Sequence, residues 1–175
     1  MTDSIQLRES TPDDWPAIES LYPEAFPKED LLPLVDELLH LPGTIWSFVG
    51  TIDGPLVGHM LFTKCGVAES SDTDALLGPL AVAPAWQQRG IGTAFVRAGL
   101  KRLENAGVTR VYVLGDPAYY GSLGFRTETR VTPPYELPAE WLGAWQSQGL
   151  VSVAKPRSGK LLLPEPWLQS ALWLP

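Results

Sequence analysis

Hydrophobic and polar positions change period several times along the chain, which predicts a domain that mixes strands with helices. Alternation with period two predicts strands, and apolar residues three or four positions apart predict helices. In chain order the pattern gives a strand at 5–8, helices at 11–21 and 30–40, strands at 45–52, 56–62 and 75–82, a helix at 90–105, a strand at 110–114 and a short helix at 117–123. With one more strand after the short helix, the order β-α-α-β-β-β-α-β-α-β predicts an α/β fold with a mixed sheet and helices on both faces.

Turn-forming residues mark several of the boundaries. Asp53-Gly54 separates two apolar strands and predicts a tight hairpin. Thr11 followed by Pro12 predicts a capped helix start, whereas Pro33 is expected to interrupt the second helix early. The polar run 72–74 predicts a turn before the strand at 75–82.

The chain after Val131 is rich in proline and tryptophan. Segment 141–145 alternates enough to predict a strand, although the spacing of Trp141 and Trp145 also suits one face of a helix. Together with Trp167 and Trp173, these rings carry a large apolar surface that needs burial. We expect them to pack over the end of the sheet; a dimer interface or a wall of the substrate site are the alternatives.

Composition narrows the classes of function. A chain of 175 residues with 45% hydrophobic content predicts one domain, residues 1–175, with a sizeable core. The net charge of -7 argues against bulk binding of nucleic acid. No apolar run approaches the roughly 20 residues that span a bilayer, so no membrane association is expected. The single Cys65 cannot form an internal disulfide, and Met1 to Ser4 does not begin a signal peptide, so we expect a cytoplasmic protein.

The most informative junction joins the strand at 75–82 to the helix at 90–105. The strand stops near Val82, because Ala83-Pro84 cannot easily continue a ladder. The helix then opens with Gln87-Gln88-Arg89-Gly90-Ile91-Gly92, and no Ser, Thr, Asp or Asn stands directly before it. Its first backbone N–H groups therefore lack a side-chain cap and can face an external anion.

Two glycines and an arginine strengthen the anion prediction. Gly90 and Gly92 remove side chains that would keep a ligand from the backbone, and Arg89 can add a bidentate contact. A lone Gly-x-Gly is nevertheless common in ordinary turns that carry a solvated arginine. The third glycine of a dinucleotide fingerprint and the Gly-Lys-Ser/Thr of a P-loop are both missing.

The pattern Gln87-x-x-Gly90-x-Gly92 after Leu80-Ala81-Val82 resembles the acyl-CoA pyrophosphate motif of the GNAT N-acetyltransferase superfamily. Segment 116–125 resembles that family's Tyr-x-x-x-Gly-Phe segment, with Tyr120 four residues before Gly124. Together they are similar to the YhbS-like branch of predicted acetyltransferases. The resemblance covers about residues 5–125 and is looser beyond, although 159–164 resembles the branch's closing strand.

The resemblance implies a GNAT fold and transfer of an acetyl group from acetyl-CoA to a primary amine by direct attack. It places the thioester carbonyl and pantetheine against the backbone of a splayed strand at Leu80, Ala81 and Val82. Tyr120 would be the general acid that protonates the departing thiolate, with Tyr119 a weaker substitute. The diphosphate would be held by Gln87, Gln88, Arg89, Gly90, Ile91, Gly92 and Thr93. No metal is implied.

The general base and the acceptor stay open. No carboxylate lies on the strand at 75–82, which favours a water relay. Individual candidates for the base are Glu24, Glu29, Asp30, Asp116 and His59. His59 is more readily interpreted as a buried, hydrogen-bonded histidine, and Cys65 has no partners that would make it a nucleophile.

The acceptor is expected to be an amine on a small molecule or a peptide, and homodimers are common in the superfamily. Two other classes of protein remain as alternatives. One is a non-catalytic acyl-CoA sensor, and the other is a Rossmann-like nucleotide-binding domain.

Overall fold

The computed structural model describes residues 4–151 and 157–174 and divides into two compact units. The first contains the residues up to Phe62 together with Gly78–Arg102. The second contains Thr63–Leu77 and the residues from Leu103 onward. Among the described residues, no helix is long and apolar enough to cross a membrane.

Strands and helices follow the order that the hydrophobic pattern predicts. The strands are β1 (Gln6–Glu9), β2 (Ile45–Thr51), β3 (Leu56–Val67), β4 (Asp74–Val82), β5 (Arg110–Leu114), β6 (Arg126–Thr127), β7 (Val131–Thr132), β8 (Trp145–Gly149) and β9 (Gly159–Leu162). The helices are α1 (Trp15–Ala25), α2 (Leu32–Leu39), α3 (Ile91–Asn105) and α4 (Pro117–Ser122), with short 3-10 turns between elements. Positive φ angles at Asp53 and Gly54 confirm the predicted hairpin turn.

The sheet is mixed, as expected. Its strand order is β1-β2-β3-β4-β5-β8-β6, with β9 beside β3 and β7. The β1–β2, β5–β8 and β6–β8 pairs are antiparallel, whereas β4 and β5 are parallel. The short pair β7–β9 is parallel as well. This mixed sheet with α-helices confirms the predicted fold class.

Two helix boundaries differ from the sequence prediction. Residues 12–14 form a 3-10 turn, and α1 begins only at Trp15 and continues to Ala25. Asp14 holds this turn, since its carboxylate accepts two bonds from Arg8 and one from the Thr11 N–H. Pro33 does not interrupt α2 but lies in its first turn, where the missing N–H has no intrahelical partner to lose.

The predicted turn at 72–74 is wrong at its last residue. Asp74 is the first residue of β4 and is fully buried. Its two carboxylate oxygens each lie 2.7 Å from Nη1 of Arg157, which is 83 residues away in sequence. A buried carboxylate needs such a partner. The local sequence around Asp74 cannot indicate a partner that lies so far away along the chain.

The predicted strand at 141–145 is also wrong. Residues 139–144 form a 3-10 helix in which the Trp141 N–H donates to the Pro138 oxygen, and β8 begins only at Trp145. Trp145 pairs with Leu114 of β5, so the strand starts where a partner is available.

Three of the four C-terminal tryptophans are buried within the second unit, as their apolar surface requires. The Trp145 ring stacks on Tyr112 at 5.7 Å and meets the edge of Trp173 at 5.8 Å. Each indole N–H finds an acceptor: Trp145 donates to Val131, Trp173 to the Trp167 carbonyl, and Trp167 to the Thr63 hydroxyl. The rings therefore form a packed cluster with satisfied polar groups.

Replacement of Trp173 by alanine removes the ring at the centre of this cluster. We expect Trp173→Ala to lower the free energy of unfolding by about 3–5 kcal/mol, the usual cost of a large cavity. Urea unfolding followed by tryptophan fluorescence measures the change. Leu174→Ala is the control, because Leu174 is 53% exposed and its truncation should change little. Equal stabilities for the two variants would contradict the packing role.

The Arg8–Asp14 pair predicts a pH dependence of stability. Bonds from Arg8 lower the pKa of Asp14 to about 2, and the Thr11 N–H contributes in the same direction. An unfolded aspartate has a pKa of about 3.9, so the pair stabilises the fold fully above that pH. The stabilisation is lost as pH falls through 2.

Asp14→Asn should therefore lower the free energy of unfolding by about 1 kcal/mol at pH 7, and the difference from the native chain should vanish as the pH falls toward 2. Denaturant titrations across this range measure it. The neighbouring exposed Asp13→Asn is the control and should show no such trend. A difference that is as large at pH 1 as at pH 7 would refute the assignment.

Candidate functional site

In the first unit, the loop between β4 and α3 is closed by its own side chains. After Val82 the chain makes a 3-10 turn at Pro84–Trp86, in which the Trp86 N–H donates to the Ala83 oxygen at 2.8 Å. Nε2 of Gln87 then donates to the Val82 oxygen at 2.8 Å. Gln87 therefore fastens the loop to the end of the strand.

Two residues in this loop have left-handed backbone conformations. Gln88 has a φ of 61° and Gly90 a φ of 77°. A side chain on Gly90 would meet no atom within 4 Å, so the space beside it is open. Glycine adopts this conformation without strain, and turns of this kind place backbone N–H groups around concave anion sites.

The start of α3 presents backbone donors to this open space. The Ala94 N–H donates to the Gly90 oxygen at 3.1 Å and closes the first turn. The N–H groups of Ile91, Gly92 and Thr93 precede that bond and have no partner within the helix. They lie at the positive end of the helix dipole. The arrangement favours an anion with several oxygens.

Apolar packing holds the helix start in position. The Ile91 side chain packs with Ile52 and Val57, and Val82 and Trp86 pack against the same cluster. The guanidinium carbon of Arg89 lies 5.1 Å from the centroid of the Trp86 ring, a distance typical of a cation–π contact. Trp86 thus supports both the loop and its arginine. The sequence analysis did not identify Trp86 as part of the site. The signal that could have identified it is an aromatic residue directly before Gln87.

The strand that leads into the loop pairs with β5 over its first residues, while β3 is its neighbour on the other side. The parallel register pairs positions 74–76 of β4 with 110–112 of β5. Among the described residues this register goes no further, although β4 continues to Val82. A cis bond joins Gly78 to Pro79, and Pro79 has no N–H to offer. Leu80 and Val82 are partly exposed, whereas Ala81 between them is fully buried.

In the second unit, Tyr120 lies on α4, which begins at a well-formed cap. The Asp116 carboxylate accepts a bond from the Ala118 N–H at 3.0 Å. The Tyr120 ring packs so closely on Gly115 that a side chain there would overlap it. The Tyr120 and Phe125 rings meet edge to face with their centroids 5.6 Å apart. The Phe125 N–H donates to the backbone carbonyl oxygen of Tyr120. The Gly-Phe spacing therefore holds the tyrosine in place.

The environment of Tyr120 keeps its phenol protonated. Burial raises the pKa of Tyr120 above its ordinary value of 10, and the neighbouring Tyr119 and Asp116 raise it further. At neutral pH the hydroxyl is neutral and can donate a proton or a hydrogen bond. The adjacent Tyr119 ring lies 5.0 Å from Tyr120.

His59 is a buried structural residue. Nδ1 lies 2.8 Å from the Tyr22 hydroxyl, and Nε2 lies 2.9 Å from the Ser47 hydroxyl. Burial lowers the pKa of His59 to about 4, although Asp14 opposes the shift. The ring is therefore neutral at pH 7 and both nitrogens are satisfied, which confirms the structural interpretation made from the sequence.

The other titratable candidates are dispersed. Glu24 lies on the last turn of α1, and Glu29 and Asp30 lie between α1 and α2; all three are exposed. Asp116 is engaged as the cap of α4. Cys65 is buried and unpaired, and burial raises the pKa of its thiol well above the ordinary value. A protonated thiol is a poor nucleophile. Among the described residues, no cluster of His, Cys, Asp or Glu is suited to a metal ion.

Similar solved structures define the class of fold. A GNAT-family N-acetyltransferase, YhbS of Escherichia coli, solved in complex with CoA, matches 97% of this chain and 94% of its own with a TM-score of 0.85 and 25% identity. A GNAT-family acetyltransferase from Brucella melitensis, solved with acetyl-CoA, matches 94% of this chain and 99% of its own, with a TM-score of 0.74 and 25% identity.

Sequence comparison gives the family. The model of the Acetyltransferase (GNAT) family matches residues 13–125, which include both the β4–α3 junction and α4. The Escherichia coli protein named "Uncharacterized N-acetyltransferase YjhQ" is 31% identical over 125 residues, 69% of each chain. The chain therefore belongs to the GNAT acetyltransferase family and is an N-acetyltransferase.

Proposed function

We propose that this enzyme moves an acetyl group from acetyl-CoA to a primary amine by direct attack of the amine nitrogen on the thioester carbonyl. The observation that carries the proposal is the start of α3, where backbone N–H groups precede the first helical bond beside an open space at Gly90. The two solved relatives with CoA or acetyl-CoA support this choice of donor.

The diphosphate of the donor is assigned to the β4–α3 junction. Its oxygens would accept bonds from the backbone at the helix start, and Arg89 would add a charge-assisted contact beside Trp86. Gln87 keeps its side chain on Val82 and so shapes the loop. The full set is Gln87, Gln88, Arg89, Gly90, Ile91, Gly92 and Thr93.

The thioester and pantetheine are assigned to the end of β4. Its ladder with β5 extends only over positions 74–76 among the described residues, so we assign the β5 side of the backbone at Leu80, Ala81 and Val82 to the ligand, with β3 on the other side. Backbone donors that are already fixed in a strand stabilise a developing oxyanion without reorganisation. We assign polarisation of the acetyl carbonyl to this backbone.

Tyr120 is assigned as the general acid. The amine forms a bond to the carbonyl carbon, the carbon–sulfur bond breaks, and the CoA thiolate takes the phenolic proton. A thiol has a pKa of about 8.5 and an unperturbed tyrosine about 10. Burial raises the pKa of Tyr120, which keeps the phenol protonated at neutral pH but makes it a weaker acid toward the thiolate. The phenolate regains a proton from water.

The amine proton is assigned to a water relay. His59 is unsuitable as the base, because it is buried and its pKa lies near 4. Glu24, Glu29, Asp30 and Asp116 remain candidates for the end of the relay. The acceptor is proposed to be a small-molecule or peptide amine, which must lose its ammonium proton before it attacks.

Wider properties of the enzyme are also proposals. We propose that both compact units belong to one acyltransferase domain, since the family match at 13–125 includes residues of each. We propose a cytoplasmic location, supported by a lone cysteine that is buried and unpaired. Homodimerisation is kept as a hypothesis that gel filtration can check.

Blocking the helix start should weaken binding of the donor. Gly90→Glu places bulk and negative charge where the diphosphate is expected, so acetyl-CoA should bind at least about tenfold more weakly, a change of about 1.4 kcal/mol. Isothermal titration and thermal shift with acetyl-CoA measure the loss.

Gly54→Glu is the matched control for this variant. Gly54 also has a positive φ and open space around it, but it lies in the hairpin turn. The control should suffer a similar backbone strain and keep its affinity. Equal affinity in the two variants would remove the diphosphate site from this loop. Stronger stabilisation by NAD or ATP than by CoA would favour a nucleotide-binding domain.

Removal of the Tyr120 hydroxyl should slow turnover without weakening donor binding. We expect Tyr120→Phe to lower kcat by about 100-fold or more, the usual contribution of a general acid, with the KM for acetyl-CoA nearly unchanged. Release of free thiol against a panel of amines measures turnover, and Tyr119→Phe is the control. Full turnover in Tyr120→Phe would sink the general-acid role. Acetyl-CoA binding without thiol release from any amine would favour the sensor.

A further inference from the structure

The second unit contains a positively charged cavity that the acetyl-transfer proposal does not use. Its volume is about 490 Å³, and it lies beside β5, β6, β8 and the loop at 127–130. Its charged lining consists of Arg110, Arg126, Arg130, Arg157 and Glu128. This concentration of arginine is unusual in a chain with a net charge of -7.

The glutamate in this lining is engaged in holding the loop. Its Oε2 accepts from the backbone N–H groups of Arg130 at 2.8 Å and Val131 at 2.9 Å. Its Oε1 accepts from the Ser147 hydroxyl at 2.7 Å, and that hydroxyl accepts from Nη1 of Arg110 at 2.8 Å. Glu128 thus fixes the shape of the cavity wall and orients Arg110 through Ser147.

Two buried polar atoms in the lining have no partner among the described residues. One is Nη2 of Arg157, whose side chain is only 9% exposed and whose Nη1 is engaged by Asp74. The other is Oε1 of Gln148. A buried donor without a partner is unfavourable, so an anion held close to Arg157 would reduce that cost.

Glycine keeps room beside these groups. A side chain at Gly149 would lie 3.1 Å from Nη2 of Arg110, and one at Gly124 would lie 2.7 Å from Nε2 of Gln148. Both glycines line the cavity. The space next to the arginine and the glutamine is therefore left open by the sequence itself.

We propose that this cavity binds a small oxyanion, of which inorganic phosphate is the simplest. Guanidinium groups match the spacing of oxyanion oxygens and bind them in pairs. The lining supplies four arginines against one glutamate, and the volume leaves room for an organic group attached to the anion.

Titration of inorganic phosphate into the full-length protein tests the proposal. CoA is present in excess, so that any diphosphate site is already filled. The native protein should release binding heat at pH 7. Sulfate has the same shape and should compete with phosphate, because the guanidinium groups bind the oxygens of either ion. Chloride at the same ionic strength should not compete, and displacement of phosphate by chloride would overturn a specific oxyanion site.

Exposed arginines provide variants that should fold normally. Arg126 and Arg130 are exposed lining residues, so Arg126→Gln and Arg130→Gln should each weaken phosphate binding by about tenfold. Arg102→Gln is the matched control, an exposed arginine on α3 outside the cavity, and should bind as the native chain does. The absence of binding by the native protein, or one affinity shared by all three variants, would overturn the site.

Discussion

The start of α3 is the constraint on which the proposed chemistry depends. A helix leaves its first N–H groups without internal partners, and this one begins after Arg89 and Gly90 rather than after a capping side chain. Packing of Ile91 on Ile52 and Val57 fixes these donors in space, and Gln87 fixes the preceding loop on Val82. The helix start is therefore held in position, and its first backbone N–H groups can bind an anion.

Packing also positions the reactive group at Tyr120. Its ring is held by Gly115 and Phe125, and that burial is also the first cause of its raised pKa. One arrangement thus positions the hydroxyl and keeps its proton. His59 shows the opposite outcome of burial. With both ring nitrogens bonded and the pKa near 4, it stabilises the first unit and has no free proton chemistry at pH 7.

Local pattern predicted the fold, which the structure confirms, and it is also the source of both candidate sites, because these signals are short in sequence. The β4–α3 junction and the Tyr120–Phe125 spacing each fit within about a dozen residues, and the hairpin at Asp53-Gly54 needs only two. The failures involve partners far away in sequence. Asp74 is read as a turn residue until Arg157 is beside it, and segment 141–145 is ambiguous until Leu114 pairs with Trp145. The arginine-lined cavity was not predicted either, because its lining residues lie on strands that are far apart in sequence.

The net negative charge of the chain acts in opposite directions on the two substrates of the proposed reaction. A net charge of -7 favours the approach of a cationic amine over long range, and it opposes the approach of an anionic donor. The donor must then be held by short-range contacts. Backbone N–H groups at the helix start and Arg89 can supply these contacts without a large basic surface. Because screening by salt acts chiefly on the long-range term, ionic strength should affect capture of the amine more than retention of the donor.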